Sequence, residues 1–140
     1  MSDELIDGSE AKAPTRPCVL VIDDEPRVGE LLFKVLSASY EVSLEPRASS
    51  ALELIKAGAH YDVILCDLMM PDMTGMDLQE ALERDHPQLA NRTIFMTGGA
   101  FTARAQEFVG RLTGRLLQKP FRITAVEAVV REMLAVQLTP

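Results

Sequence analysis

From Pro17 onward the chain alternates short continuous apolar runs with longer stretches whose apolar residues recur at helical spacing. The first run, Cys18-Val19-Leu20-Val21-Ile22, has no polar interruption, as a strand covered on both faces of a parallel sheet requires. It stops at Asp23-Asp24. Pro26 suits the first turn of a helix, and Val28, Leu31, Leu32, Val35 and Leu36 then make one apolar stripe. Residues 40–45 alternate Tyr, Val and Leu with Glu, Ser and Glu, the pattern of an edge strand with one wet side. Ser50-Ala51-Leu52-Glu53 reads as a capping box opening a second helix, whose face of Leu52 and Ile55 runs to Gly58.

A second uninterrupted run, Val63-Ile64-Leu65-Cys66, ends at Asp67. Pro71 and Gly75 punctuate the loop behind it, and a third helix is expected from 76 to about 86, stopped before Pro87. Thr93-Ile94-Phe95-Met96 reads as a strand ending at Thr97, followed by a turn at Gly98-Gly99. Residues 103–112 form the next helix, with Phe108, Val109 and Leu112 inward. Leu116-Leu117 is a short fifth strand, closed by Lys119-Pro120. Thr124-Ala125-Val126-Glu127 is a second capping-box sequence, and Val126, Val129, Val130, Met133 and Leu134 stripe the last helix. Five strands alternating with five helices predict an α/β domain around a parallel sheet.

The length of 140 residues allows one such domain and no second. Residues 1–16 carry four acids and two bases, with Leu5 and Ile6 as their only large apolar groups besides Met1, and read as a flexible acidic tail or linker. Fourteen basic against twenty-one acidic residues leave a net charge of −7, which repels phosphate backbones, so direct nucleic-acid binding is not expected. The longest apolar run has five residues, far short of a membrane span, and no signal peptide opens the chain, so a cytoplasmic location is expected. Cys18 and Cys66 both sit inside apolar runs, suiting a reducing compartment.

In a parallel sheet the carboxyl ends of all strands share one edge, where open α/β proteins bind ligands. The residues at those ends are Asp23 and Asp24, Asp67, Thr97 and Lys119. Crowded carboxylates repel one another unless a cation intervenes, and a divalent metal together with Lys119 resolves the conflict. Oxygen donors beside a phosphoryl group are the preference of Mg²⁺. A carboxylate can then attack phosphorus in line while metal, ammonium and hydroxyl neutralise the phosphoryl oxygens. Asp67, alone at its strand end, is the candidate nucleophile, and Asp23 and Asp24 the candidate Mg²⁺ ligands.

Val-Ile-Asp-Asp-Glu-Pro (21–26), Cys-Asp-Leu-Met-Met-Pro-Asp-Met-Thr-Gly (66–75), Met-Thr-Gly-Gly (96–99) and Gln-Lys-Pro-Phe (118–121) together resemble a response-regulator receiver domain over about residues 17–138. The resemblance implies a flavodoxin-like, doubly wound sheet of order 2-1-3-4-5. It implies that a histidine kinase or phosphotransfer protein donates a phosphoryl group to Asp67, and that the output is a switch in protein contacts. By the same likeness Asp24 corresponds to the direct Mg²⁺ ligand, Asp23 to an acid acting mostly through water, and Met69 to the residue lending its backbone carbonyl to the metal. Thr97 resembles the hydroxyl switch, and Lys119 the phosphoryl-pairing lysine, joined to Pro120 by a cis bond.

Two departures from the pattern matter. Leu116 stands where such receivers often carry Tyr or Phe, which removes the aromatic part of the switch. Met69 and Gly99 offer no polar side chain to orient an attacking water, so slow self-dephosphorylation is expected. The segment 96–102 with Lys-Pro-Phe looks like receivers attached to hybrid histidine kinases, while a single-domain regulator or relay shuttle is the other context, and a homodimer is left open.

Blander roles compete at each position. Asp23 and Asp24 could cap the helix before Pro26, Lys119 could be a solvated lysine, and Thr97 a turn residue. Cys66 reads as packing rather than redox, and on adjacent strands it lies roughly 13 Å or more from Cys18, beyond disulfide reach. His60 and His86 read as solvated, and the methionines at 69, 70, 73 and 76 as packing. Two other functions are weighed: an aspartate-nucleophile phosphohydrolase of the haloacid dehalogenase type, and a receiver-like module acting without phosphorylation. The first needs Asp-x-Asp after strand one and room for a substrate cap; this chain has Asp-Asp-Glu and 140 residues.

Overall fold

Five parallel strands lie in the order β2-β1-β3-β4-β5, the doubly wound order 2-1-3-4-5. They are β1 (Cys18–Ile22), β2 (Glu41–Glu45), β3 (Val63–Asp67), β4 (Thr93–Thr97) and β5 (Leu116–Gln118). The computed structural model describes residues 16–99 and 102–138. The expected tail, Arg16 apart, and residues 100–101 of the turn after β4 lie outside that range. The helices are α1 (Pro26–Leu36), α2 (Ala48–Lys56), α3 (Gly75–Asp85), the one-turn α4 (Pro87–Ala90), α5 (Ala103–Gly110) and α6 (Ile123–Leu138).

Side-chain alternation along β1 divides the core between the two faces of the sheet. Leu20 and Ile22 join Ala51, Ile55, Leu78, Leu82 and Phe108 under α2, α3 and α5. Val19 and Val21 join Leu32, Leu36, Val126 and Val130 under α1 and α6. β3 and β4 are buried along their whole length, as their unbroken apolar runs require, whereas β2 is an edge strand and mostly exposed.

Several boundaries differ from the sequence reading. Ser50 does not cap α2: the helix begins at Ala48, and the Ser50 hydroxyl donates to the Arg47 carbonyl at 3.1 Å. Burying Ala48 and Ala51 against the sheet extends the helix backward past the capping sequence. Thr124 likewise falls inside α6, whose first backbone bonds run to the Arg122 carbonyl. In α1 the inward residues include Val28, Leu32 and Leu36, while Leu31 lies about 100° round the helix from Leu32 and is exposed. α3 starts at Gly75 because Thr74 and Asp77 form a reciprocal capping box, with Thr74 Oγ1 accepting from Asp77 N and Asp77 Oδ2 from Thr74 N, both at 3.1 Å. The sixth helix is α4, in which Pro87, expected only to stop α3, begins a new turn.

Candidate functional site

Parallel register brings the carboxyl ends of β1 and β3 level: Ile22 pairs with Cys66, so Asp23 stands beside Asp67. Both are buried, whereas Asp24 is exposed. One carboxylate oxygen from each of Asp23, Asp24 and Asp67 falls within 4.8 Å of the other two. Lys119 follows β5, two strands away from β3, and its bond to Pro120 is cis. The Lys119 amide donates to the Thr97 carbonyl at 2.7 Å. Its ammonium lies 2.9 Å from Asp23 Oδ2 and 3.3 Å from Asp67 Oδ1, with Glu25 Oε1 further out at 3.7 Å.

This geometry decides between the competing roles. Helix α1 is entered at Glu25, with no side-chain cap bond, so neither Asp23 nor Asp24 caps it. Asp23 Oδ1 instead accepts from the Glu25 amide at 2.9 Å while Oδ2 faces Lys119, so both oxygens are held. The Lys119 side chain is only 19% exposed, which excludes a solvated surface lysine. Thr97 is buried, and its hydroxyl oxygen accepts from the Gly99 amide at 2.9 Å, a turn bond within the loop.

Burial, followed by the neighbouring charge of Asp23, pushes the Asp67 carboxyl up from its ordinary 3.8 to about 6, against the pull of Lys119 and with a further push from Asp24. Burial also works against the charge on Lys119, but its hydrogen bond to Asp23 and the charge of Asp67 outweigh it and hold its pKa above the usual lysine value. Three carboxylates and one ammonium leave the cluster two negative charges in excess. A set of oxygen donors with that excess fits a hard divalent cation such as Mg²⁺. Asp23, Asp24 and Asp67 would supply the side-chain oxygens.

Cys66 is fully buried beneath this site, and burial drives its thiol pKa upward, so it is a packing group and not a redox one. Both cysteines are free thiols. Met70 and Met76 are buried and Met73 packs against the core; Met69 is exposed. His60 is exposed and paired with Asp62 at 3.2 Å.

Gly75 is a participant that the sequence reading treated only as punctuation. A Cβ there would stand 2.8 Å from the Asp67 carbonyl oxygen and 3.1 Å from Leu68 Cα, so the start of α3 packs directly on the backbone of the candidate nucleophile. The Gly75 amide also donates to the Leu68 carbonyl at 2.8 Å. Thr74-x-x-Asp77 was the available signal: a capping pattern with Asp in place of the usual Glu puts the helix start, and hence Gly75, against the strand end.

A parallel sheet of this order with three acids, a threonine and a lysine at its strand ends defines a signalling receiver fold. The family model for the response regulator receiver domain matches residues 19–131, and the chain belongs to that family. It is 27% identical over 132 residues to the aerobic respiration control sensor protein ArcB of Escherichia coli K12, covering 93% of this chain and 17% of that protein. It is 31% identical over 121 residues to the sensor kinase CckA of Brucella abortus, covering 85% of this chain and 13% of the kinase. The chain therefore spans under a fifth of either relative. Among solved structures, a CheY-like response regulator receiver domain protein from Methanospirillum hungatei superposes with a TM-score of 0.77 at 23% identity, over 88% of this chain and 97% of that one. The flavodoxin-like fold expected from the sequence is thereby established. No helix among the described residues is long and apolar enough to cross a membrane.

Proposed function

We propose that this receiver domain accepts a phosphoryl group on Asp67 from the phosphohistidine of a histidine kinase or phosphotransfer protein, and that the change is passed on as altered protein contacts. The observation that carries this reading is the Lys119 ammonium lying between the buried Asp23 and Asp67 carboxylates, with Asp24 beside them. Asp23, Asp24, Asp67 and the Met69 carbonyl would hold Mg²⁺, which would supply positive charge against the phosphoryl oxygens.

An Asp67 carboxylate oxygen attacks phosphorus in line. The new O–P bond forms as the P–N bond breaks, and the electron pair returns to the donor imidazole, which takes a proton. Lys119 moves from carboxylate toward phosphoryl oxygen and balances the incoming charge. The Thr97 hydroxyl oxygen accepts from the Gly99 amide, which leaves its proton to donate to the phosphoryl group. A hollow of about 200 Å³ lined by Thr97, Gly98, Gly99, Val109, Gln118 and Lys119 lies beside that hydroxyl. Leu116 packs against the α5 side of the core, so the switch runs through Thr97 and its loop without an aromatic partner. A cytoplasmic setting suits the free cysteines and a kinase donor.

The test is intact mass after incubation with acetyl phosphate and Mg²⁺, beside an Asp67→Ala variant and a chelator control. One phosphoryl adduct that requires both Asp67 and Mg²⁺ is expected. An adduct surviving in Asp67→Ala, or no adduct with either acetyl phosphate or a phosphorylated donor protein, overturns the reading.

A further inference from the structure

A broad hollow lies at the opposite edge of the sheet from Asp67. It is a cleft of about 560 Å³ between the loop that leads into β3 and the α3–α4–β4 corner. Its floor is apolar, with Ile55, Tyr61 and Leu89, and its rim carries His60, His86 and Arg92. Among the described residues the Arg92 guanidinium has no carboxylate or carbonyl partner, although the chain has a net charge of −7. A half-buried, unpaired guanidinium with two imidazoles above an apolar floor fits an acidic segment with large aliphatic side chains at its centre.

The chain contains such a segment. Residues 3–7 read Asp-Glu-Leu-Ile-Asp, and apart from Met1, Leu5 and Ile6 are the only large apolar residues ahead of Cys18. The entry of the chain into the sheet adjoins the cleft. The Cys18 amide donates to Asp62 Oδ2 at 2.8 Å, and Asp62 Oδ1 pairs with His60, on the cleft rim, at 3.2 Å. Residues 8–15 extend to at most about 26 Å, ample for the short path from β1 to the cleft.

We propose that residues 3–7 dock in this cleft, with Leu5 and Ile6 on the Ile55, Tyr61 and Leu89 floor and the acids of the segment against Arg92 and the imidazole N–H groups. The cleft is then an intramolecular site that fixes where the amino-terminal segment leaves the domain, on the edge away from the phosphoryl site. The proposal does not depend on phosphorylation of Asp67.

Amide NMR on the full chain tests it with two surface changes, the triple variant Asp3→Asn/Glu4→Gln/Asp7→Asn and the single variant Arg92→Gln. Neutralising the segment is expected to shift the amides of Ala59, Tyr61, Leu89 and Arg92 while those around Asp67 and Thr97 stay in place. Arg92→Gln is expected to shift the amides of residues 4–7, and trypsin cleavage after Lys12 is expected to quicken about fivefold in either variant. Cleft amides unmoved by the triple variant, or segment amides unmoved by Arg92→Gln, overturn the proposal. So do shifts that scale with protein concentration, since the occupant is then the segment of a second copy.

Discussion

Gly75 and Asp67 are in backbone contact: a methyl group on Gly75 would come within 2.8 Å of the Asp67 carbonyl oxygen. The atoms it would strike belong to main chain at the end of the fully buried β3, which has little freedom to yield. Gly75→Ala should therefore cost about 1–3 kcal/mol, as overpacking typically does, measured as a lower urea midpoint. Because the displaced residue is the proposed nucleophile, adduct formation with acetyl phosphate should slow as well under conditions where the variant is fully folded. An unchanged midpoint and rate would show that the helix start shifts freely.

Among the described residues Lys119 is the single ammonium between Asp23 and Asp67, at 2.9 and 3.3 Å. Lys119→Met should destabilise the metal-free protein by about 3 kcal/mol, because it leaves buried carboxylates facing one another without a counter-charge. Adding Mg²⁺ should recover much of that loss, since the cation replaces the missing charge. Thermal denaturation of both proteins with and without Mg²⁺ checks this; equal losses in the two conditions would count against it.

The pH dependence follows from Asp67, whose pKa rises from 3.8 to about 6 on folding through burial and the charge of Asp23. The folded protein then binds the proton more tightly than the unfolded one. Metal-free stability should fall as pH rises from about 4 to about 6, and level off above. Asp67→Asn removes the ionisation, so its stability advantage over the unchanged protein should be absent near pH 4, grow across that window and persist at pH 7. Urea midpoints at several pH values test this, and a gap independent of pH would refute it.

Mg²⁺ binding should itself stabilise the fold, by about 2.7 kcal/mol when the ion is at a hundred times its dissociation constant. Asp24 is exposed, so Asp24→Asn should fold normally yet lose most of this increment. Melting temperature against Mg²⁺ concentration is the readout.

Once formed, the aspartyl phosphate should be long-lived. The side chain of Met69 is apolar and that of Gly99 absent, so neither position can orient a water on phosphorus. Met69→Asn should shorten the lifetime by up to about a hundredfold, read from the decay of the adduct mass after acetyl phosphate is removed.

The buried strands, the acids that end them and the lysine after β5 were legible along the chain, because an unbroken apolar run followed abruptly by a carboxylate is a local pattern with one structural meaning. The stripe of α6 was legible for the same reason: Val126 and Val130 lie inward where helical spacing puts them. Local signals failed where burial outweighed them. Ser50 and Thr124 carry capping sequences inside helices that start earlier, and Leu31 satisfies the apolar period of α1 yet faces solvent. Thr74 and Asp77 went unread because Asp replaces the Glu of the usual box, and with them the approach of Gly75 to Asp67.

Residue order thus dictated which groups stand at the strand ends, since pattern and turn chemistry act over a few neighbouring residues. Which of those groups meet was settled only by the folded sheet. The strand order places β1 and β3 side by side, and the path out of β5 carries Lys119 back to Asp23 across 96 residues of sequence, to within 2.9 Å. No local pattern encodes a contact of that span; it exists because two core faces must be covered at once, and a parallel sheet that covers them brings its carboxyl ends to one edge.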